Sequence, residues 1–434
     1  MSADLTADQI NLSDSGFWGR PFEERDAAFR VLRDQRPVAF FDEPPWPFLP
    51  QGPGYWALTR FGDVVEASRN PAVFSSADGS VLPDLPAGGP PFSYLRSMID
   101  MDNPGHADMR KIVARAFSPG AVRELASQVV TLAHEVVDTV IEDGECDLAT
   151  QIATPLPVGL VCHLLGVPRS DWKWVRDRAL IAYGRDDPEF VPGVLEEPEL
   201  GALAVIQAVE EMAGYMKELS ESKRSRPGDD LTSRLVRAEV AGRQLSEEEL
   251  AQWFILLVVA GAETSRQAIT HGVLMLDRHR EQRRDWQQDF AGLAGTAVEE
   301  IVRWSAPVIA FRRTLKSDYV LGGQPLSEGE KVLLFYPSAN RDERGFAEPY
   351  RFDLCRTPNA HVGYGGPGPH YCLGAHLARC EIRAMIGALF ERMPDLEVTG
   401  EPEWLRSSSI NGIKHLPVRF PPARKREGRR GSRR

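Results

Sequence analysis

Cys372 closes a glycine- and proline-rich turn, HVGYGGPGPHYCLGAHLAR over residues 361–379. An apolar helical pattern runs on from 373 to 393, and Pro394 stops it. The cysteine therefore stands just ahead of a helix N-terminus. Free amide N–H groups and the positive end of the helix dipole favour a thiolate there. Gly363, Gly365, Gly366, Gly368 and Gly374 let the backbone come close to a flat, bulky group. A lone thiolate presented this way suits the proximal iron ligand of a haem, pushing electron density towards O–O cleavage. A buried structural cysteine accounts equally well for the residue alone.

A second constellation lies in a long proline-free run. Ser246 and Glu249 form a capping-box start, and no proline follows until after residue 278. Such a helix is about 48 Å long. Its middle is apolar on all sides, so it should cross the core. Inside it lies Ala260-Gly261-Ala262-Glu263-Thr264-Ser265. An acid and a hydroxyl are costly inside a buried helix unless they are used. Gly261 permits close approach to the backbone. Thr264 can turn its hydroxyl on a backbone carbonyl and open the helix locally, leaving a slot for O2 and a water.

Two further groups carry charge. Thr296 and Glu299 read as the capping box of another helix that ends before Pro307. Within it Glu300 and Arg303 share a face at i, i+3. Cations stand at His106 and Arg110 in the segment HADMR, at Arg313, and at His370 two residues before the cysteine. Taken singly, each also reads as an ordinary surface charge.

Taken in order, these motifs resemble the cytochrome P-450 family over about residues 54–420. The loop Tyr364, Gly365-Gly366, Gly368, His370, Cys372, Gly374 is similar to its haem-binding loop. Two departures stand out: Tyr364 replaces the usual Phe, and one extra residue precedes the cysteine. The resemblance implies haem b (iron protoporphyrin IX) with Cys372 as axial ligand. It implies that Tyr364, Gly366, Gly374 and Gly261 contact the haem, and that His106, Arg110, Arg313 and His370 clamp its propionates. Glu263 and Thr264 become the oxygen-activation pair, with Glu263 relaying protons. Glu300 and Arg303 become the structural ExxR pair. Arg351, in Pro349-Tyr350-Arg351-Phe352, is the expected third member, with Arg356 as runner-up. Several blocks resemble a narrower actinobacterial branch that hydroxylates steroid C26 methyls and the ends of methyl-branched lipids.

That resemblance implies a monooxygenase hydroxylating an unactivated C–H bond, favouring a terminal methyl of a branched lipid, isoprenoid or sterol side chain. A polycyclic terpenoid or other secondary metabolite is the alternative substrate. A peroxide-driven peroxygenase and a non-catalytic haem binder are the alternative functions. Candidate pocket residues are Met98, Ile99, Leu257, Ala260, Val308, Ile309, Phe311, Ile410 and Ile413. They are mostly apolar, so the substrate should be too; core packing is their alternative role. Electrons should come from a ferredoxin and an NAD(P)H-dependent ferredoxin reductase. The expected contact is through Arg110, Lys111 or Arg379.

The elements that must position these groups are mainly helical, with a small segregated β part and no βαβ alternation. The expected organisation is an arm and first helix over 1–36, one catalytic domain over 37–420, and a basic, disordered tail over 421–434. Five cysteines without CxxC spacing speak against a disulfide framework or a zinc site. The net charge of −11, despite a tail with seven basic residues, disfavours nucleic acid. The polar N-terminus and the lack of a long apolar run point to a cytoplasmic monomer without an integral membrane segment.

Overall fold

The computed structural model describes residues 5–86 and 88–426. In chain order its main elements are α1 (Phe22–Gln35), β1 (Val38–Phe41), β2 (Tyr55–Leu58), β3 (Phe74–Ser75), α2 (Gly105–Ala114), α3 (Pro119–Val140), α4 (Pro155–Leu165), α5 (Trp172–Gly184), α6 (Glu199–Ser225), α7 (Glu247–Arg278), α8 (Phe290–Ser305), β4 (Ala310–Leu315), β5 (Lys331–Phe335) and α9 (Ala375–Arg392).

Helix α7 organises the rest. The Ser246 hydroxyl accepts from the Glu249 amide at 3.1 Å, and the Glu249 carboxylate accepts from the Ser246 amide at 2.8 Å. Glu247, Glu248 and Glu249 meet the positive end of its dipole, and Arg278 lies in its last turn. From Leu250 to Leu276 most of its residues are buried around the whole circumference. Helices α4, α5, α6, α8 and α9 pack against it, and their apolar faces form the main core.

Helix α8 begins earlier than the sequence suggests. Asp289 is its cap, accepting from the Gly292 amide at 2.9 Å. Thr296 is an interior residue whose hydroxyl donates to the Leu293 carbonyl at 3.2 Å. The carboxylate of Asp289 offers a good N-cap about two turns sooner.

The largest sheet has the order β1-β2-β5-β4-β3, with β2 and β5 parallel and the other pairs antiparallel. Near the C-terminus, Pro417–Arg419 pairs with both Glu397–Val398 and Glu145–Asp147. A hairpin joins Glu403–Trp404 to Ile413–His415. The chain is thus mainly α with a small, segregated β part.

Both expected ends need correction. The N-terminal segment is no free arm: Leu12, Phe17 and Trp18 are buried with Phe29, Ile309 and Phe335 against the sheet. At the other end, residues 421–426 dock on α3 and α9. Ala423 donates to the Ile141 carbonyl at 2.9 Å, Lys425 pairs with Glu142 at 3.3 Å, and Arg392 donates to the Arg424 carbonyl at 2.8 Å. The acids at the end of α3 attract this basic segment. Disorder expected over 427–434 falls outside the described residues. Among the described residues, Leu148–Leu165 is long and apolar enough to cross a membrane, with mean hydropathy 1.5; 72% of it is buried inside the fold, where it serves the core.

Candidate active site

The middle of α7 is open where its neighbours are closed. Ala260 is exposed and Gly261 and Thr264 are partly so, although Leu257, Val258, Ala262 and Glu263 are buried. Surface exposed at the centre of a core helix requires an interior cleft. The Thr264 hydroxyl donates to the Ala260 carbonyl at 2.8 Å, as its type and place in the helix suggest.

Cys372 likewise has open surface, just before α9. Its amide donates to the Tyr364 carbonyl at 2.9 Å, which fixes the turn. Gly365, Gly366 and Gly368 have φ of +88°, +68° and +152°. At Gly368 a Cβ would stand 2.2 Å from the Ser68 carbonyl oxygen, so no other residue fits. Surrounding protein pushes the thiol pKa up, while the Gly374 amide, Arg110 and Arg379 oppose that push. Open surface together with a strong burial effect means that the sulfur faces an enclosed cleft. The helix start alone does not produce a thiolate; a cation at the sulfur must complete it.

Two arginines and two histidines gather near this turn. The His106 and His370 rings lie 4.2 Å apart. His106 is buried with Nε2 unpartnered. Arg313, buried on β4, donates to the Arg312 carbonyl at 2.6 Å. Arg110 donates to the Tyr371 carbonyl at 2.7 Å. Burial, then Arg313, His106 and Arg110, lowers the His370 pKa to about 3. Burial and the neighbouring Arg110 and Arg313 also lower that of His106. The nearby acids are engaged elsewhere. Asp102 accepts from the Ser76 amide at 2.9 Å, and Asp100 accepts from the Ser80 and Ser97 amides at 2.8 and 2.9 Å. Two arginines beside two imidazoles, one of them with an unpartnered buried ring nitrogen, fit a ligand bearing carboxylates. Haem, with two propionates and an iron for the thiolate, meets both demands.

Beneath the turn, Glu300 and Arg303 form a fully buried bidentate pair, both contacts at 2.7 Å. The third member is Arg356, not Arg351. Arg356 Nε donates to Glu300 at 3.1 Å, and its other nitrogens reach the Ala347 and Arg351 carbonyls at 2.6 and 2.7 Å. Arg351 gives only its backbone to this cluster. Its side chain lies outside with Glu348 at 3.3 Å, because the chain turns at 348–351 and presents carbonyls inward.

Next to it, Glu299 takes both Arg379 nitrogens at 2.5 and 3.0 Å and lies 3.1 Å from His361 Nε2. Arg379 also stacks over the Tyr364 ring at 4.3 Å. Burial raises the Glu299 pKa, but Arg379 and His361 outweigh it and bring it from 4.5 down to about 2. A depressed carboxylate stabilises the fold above its unfolded pKa and loses that contribution as pH falls through the folded one. Stability should therefore fall between about pH 4.5 and about 2, and Glu299→Gln should flatten this limb in unfolding titrations. Parallel limbs in both proteins would refute the assignment. Arg379 is thus engaged within the chain, and Lys111 pairs with Asp108 at 3.0 Å. With Arg110 turned on Tyr371, none of the three expected partner-docking cations stands alone.

Glu263 is placed differently from expectation. Its Oε1 accepts from Arg266 at 2.5 Å and Gln267 at 2.6 Å, and all three residues are buried. Arg266 in turn holds the Ala149, Ile413 and Lys414 carbonyls at 3.3, 3.2 and 3.1 Å. An acid closed in this way is held in place by two side chains and does not stand free in the cleft. Arg266 and Gln267 were legible as i+3 and i+4 partners of Glu263.

The expected pocket residues divide. Ala260 is exposed, and Ile99, Val308 and Phe311 are partly buried, while Met98 and Leu257 are buried in the main core. Ile410 is buried and bridges to Val308. Ile309 instead packs against Phe29 and Phe335 behind the sheet, and Ile413 is fully buried, its amide donating to Gln267. Strand alternation turns Ile309 away from its neighbours.

Comparison with known proteins agrees with this geometry. A family model described as Cytochrome P450 matches residues 202–394. A methyl-branched lipid omega-hydroxylase of Mycobacterium tuberculosis is 45% identical over 413 residues, 94% of each chain. A steroid C26-monooxygenase of Rhodococcus jostii is 36% identical over 93% of this chain and 82% of its own. The solved structure of a Mycobacterium marinum cytochrome P450 in complex with pseudoionone superposes with a TM-score of 0.90. It has 37% identity and covers 96% of this chain and all of that one.

Proposed function

The chain belongs to the cytochrome P450 family, and from that premise we propose that it hydroxylates the terminal methyl of a methyl-branched lipid, isoprenoid or sterol side chain. It is a haem-dependent monooxygenase; when bound, haem supplies the activation of O2 that a protein side chain cannot. The observation that carries the assignment of roles is the open Cys372 thiol on a glycine-walled turn beside two arginines and two imidazoles. Cys372 would hold the iron. His106, Arg110, Arg313 and His370 would hold the propionates, the arginines supplying the charge and the imidazoles hydrogen bonds. Gly261, Tyr364, Gly366 and Gly374 would allow close contact with the ring.

On the open face of α7, Thr264 holds a proton at Oγ1 and can exchange its bond to the Ala260 carbonyl for one to a bound group. Apolar side chains exclude water and hold the substrate by burial. A terminal methyl C–H is stronger than its neighbours, so regiochemistry must come from shape. The pocket must present the chain end and screen weaker bonds. The 45% relative acts on methyl-branched lipids, which supports that substrate class here.

Thr264→Ala should uncouple the enzyme. Product per NAD(P)H should fall about tenfold or more, peroxide release should rise, and substrate affinity should hold. Unchanged coupling would favour a peroxygenase. We place the enzyme in the cytoplasm as a monomer fed by a ferredoxin and its reductase. Turnover with NAD(P)H should then require ferredoxin, whereas turnover with peroxide should not.

The test of substrate class is a Soret titration of the ferric protein with a methyl-branched fatty acid, cholest-4-en-3-one and a polycyclic diterpenoid. A tight high-spin shift with the first or second supports terminal hydroxylation of lipids. Silence there with a response to the diterpenoid would overturn it.

A further inference from the structure

Glu381 is a second buried acid near this site, and the roles above leave it unused. It lies on α9, nine residues after Cys372, and is 3% exposed. Across from it on α7 is Ser265, 4% exposed, the residue after Thr264. The Ser265 hydroxyl donates to Glu381 Oε2. This bond ties the helix that presents Thr264 to the helix that follows the cysteine turn.

Among the described residues, no cation pairs with Glu381. On α7, Glu263 is closed on Arg266 and Gln267. On α9, Arg379 is closed on Glu299 of α8, and Arg392 on Asp138 of α3. Arg383 lies over the Phe290 ring, and Cys380 is a thiol whose pKa burial has raised. A buried carboxyl without a counter-charge stays protonated, since ionising it there is costly.

We propose that Glu381 is a positioning residue that must remain a neutral acid. Through Ser265 it fixes the rotation of α7, and hence the face on which Ala260, Gly261 and Thr264 meet the cleft. The inference rests on the monooxygenase reading for the meaning of Thr264, but not for the state of Glu381. Burial, opposed only by the Ser265 bond, raises the Glu381 pKa from 4.5 to about 8. A raised carboxyl pKa means that the fold binds a proton the unfolded chain has lost. Stability therefore falls as pH rises from about 4.5 to about 8 and levels off above that. Over the same alkaline range the ionised carboxylate draws water between α7 and α9 and, still bonded to Ser265, carries α7 with it.

The experiment uses the ferric holoenzyme and its Glu381→Gln and Ser265→Ala variants. Infrared difference spectra between neutral and alkaline pH should show a protonated-carboxyl carbonyl band that Glu381→Gln removes. Across two pH units centred on the midpoint, the neutral fraction falls about tenfold. Wild-type coupling of NAD(P)H to product should drop with it. Glu381→Gln should give a coupling ratio independent of pH, while Ser265→Ala should keep the carboxyl band and lose the step in coupling. No band at neutral pH, or the same coupling profile in wild type and Glu381→Gln, would overturn the proposal. The band and the unfolding profile can be read even if no lipid is hydroxylated, so failure of this inference is separable from failure of the substrate reading.

Discussion

Cys372→Ser is expected to remove at least about 10³-fold of NAD(P)H-driven turnover, about 4 kcal/mol of barrier lowering, while the chain still folds. The turn does not depend on the sulfur. The bond that fixes it runs from the Cys372 amide to the Tyr364 carbonyl, and glycines set its path. Serine keeps that amide and nearly the same volume. What it lacks is an electron-rich ligand able to push on bound oxygen. Circular dichroism and thermal unfolding should therefore stay close to wild type, within about 1 kcal/mol. The ferrous–CO spectrum should lose the strong Soret red shift of thiolate ligation. A variant that kept both the shift and the turnover would remove Cys372 from the ligand position.

Glu300→Ala is expected to have the largest effect on folding. The carboxylate sits between two guanidinium groups, Arg303 and Arg356, with no exposure, and also accepts from the Asp353 amide at 2.9 Å. Removing it leaves two buried cations facing each other. Breaking a buried pair costs about 3–5 kcal/mol, and a second stranded cation adds to that. Against a total stability of about 5–15 kcal/mol, the variant should express poorly and fail to retain haem. Arg356→Ala should come close to the same loss, because it removes one of Glu300's two guanidinium partners and a donor to the Ala347, Glu348 and Arg351 carbonyls. Arg351→Ala should fall within about 0.5 kcal/mol of wild type, since its side chain meets only solvent and Glu348. Chemical unfolding of the three variants separates the two arginines directly; a large loss at Arg351 would contradict the geometry.

This contrast shows where sequence reading reaches its limit. Ser246 with Glu249, the proline-free run behind them, Thr264 on its own helix and the glycine turn before Cys372 are local patterns. Local patterns are what a sequence displays, and each stands in the structure as its spacing suggests. Glu300 with Arg303 is local too. Their third partner lies across an irregular segment, where the choice between Arg351 and Arg356 depends on which side of a turn faces inward. No periodicity encodes that. Glu263 failed for a related reason. Its residue type suits proton relay, but the side chains at i+3 and i+4 satisfy it first. Thr296 lost the helix start to Asp289 because two caps competed within two turns. Glu381 carried no motif at all. Its meaning comes from lying opposite Ser265 on another helix, which only the packing reveals.

The most direct test of the account is the position at which oxygen is inserted. The holoenzyme, with ferredoxin, reductase and NAD(P)H, would be given a methyl-branched fatty acid under isotopically labelled O2, and the product's hydroxyl located by mass spectrometry. The account predicts one labelled oxygen, on the terminal methyl, with little product at weaker internal C–H bonds. Hydroxylation spread along the chain, or none on any branched lipid while a polycyclic terpenoid is turned over, would contradict it.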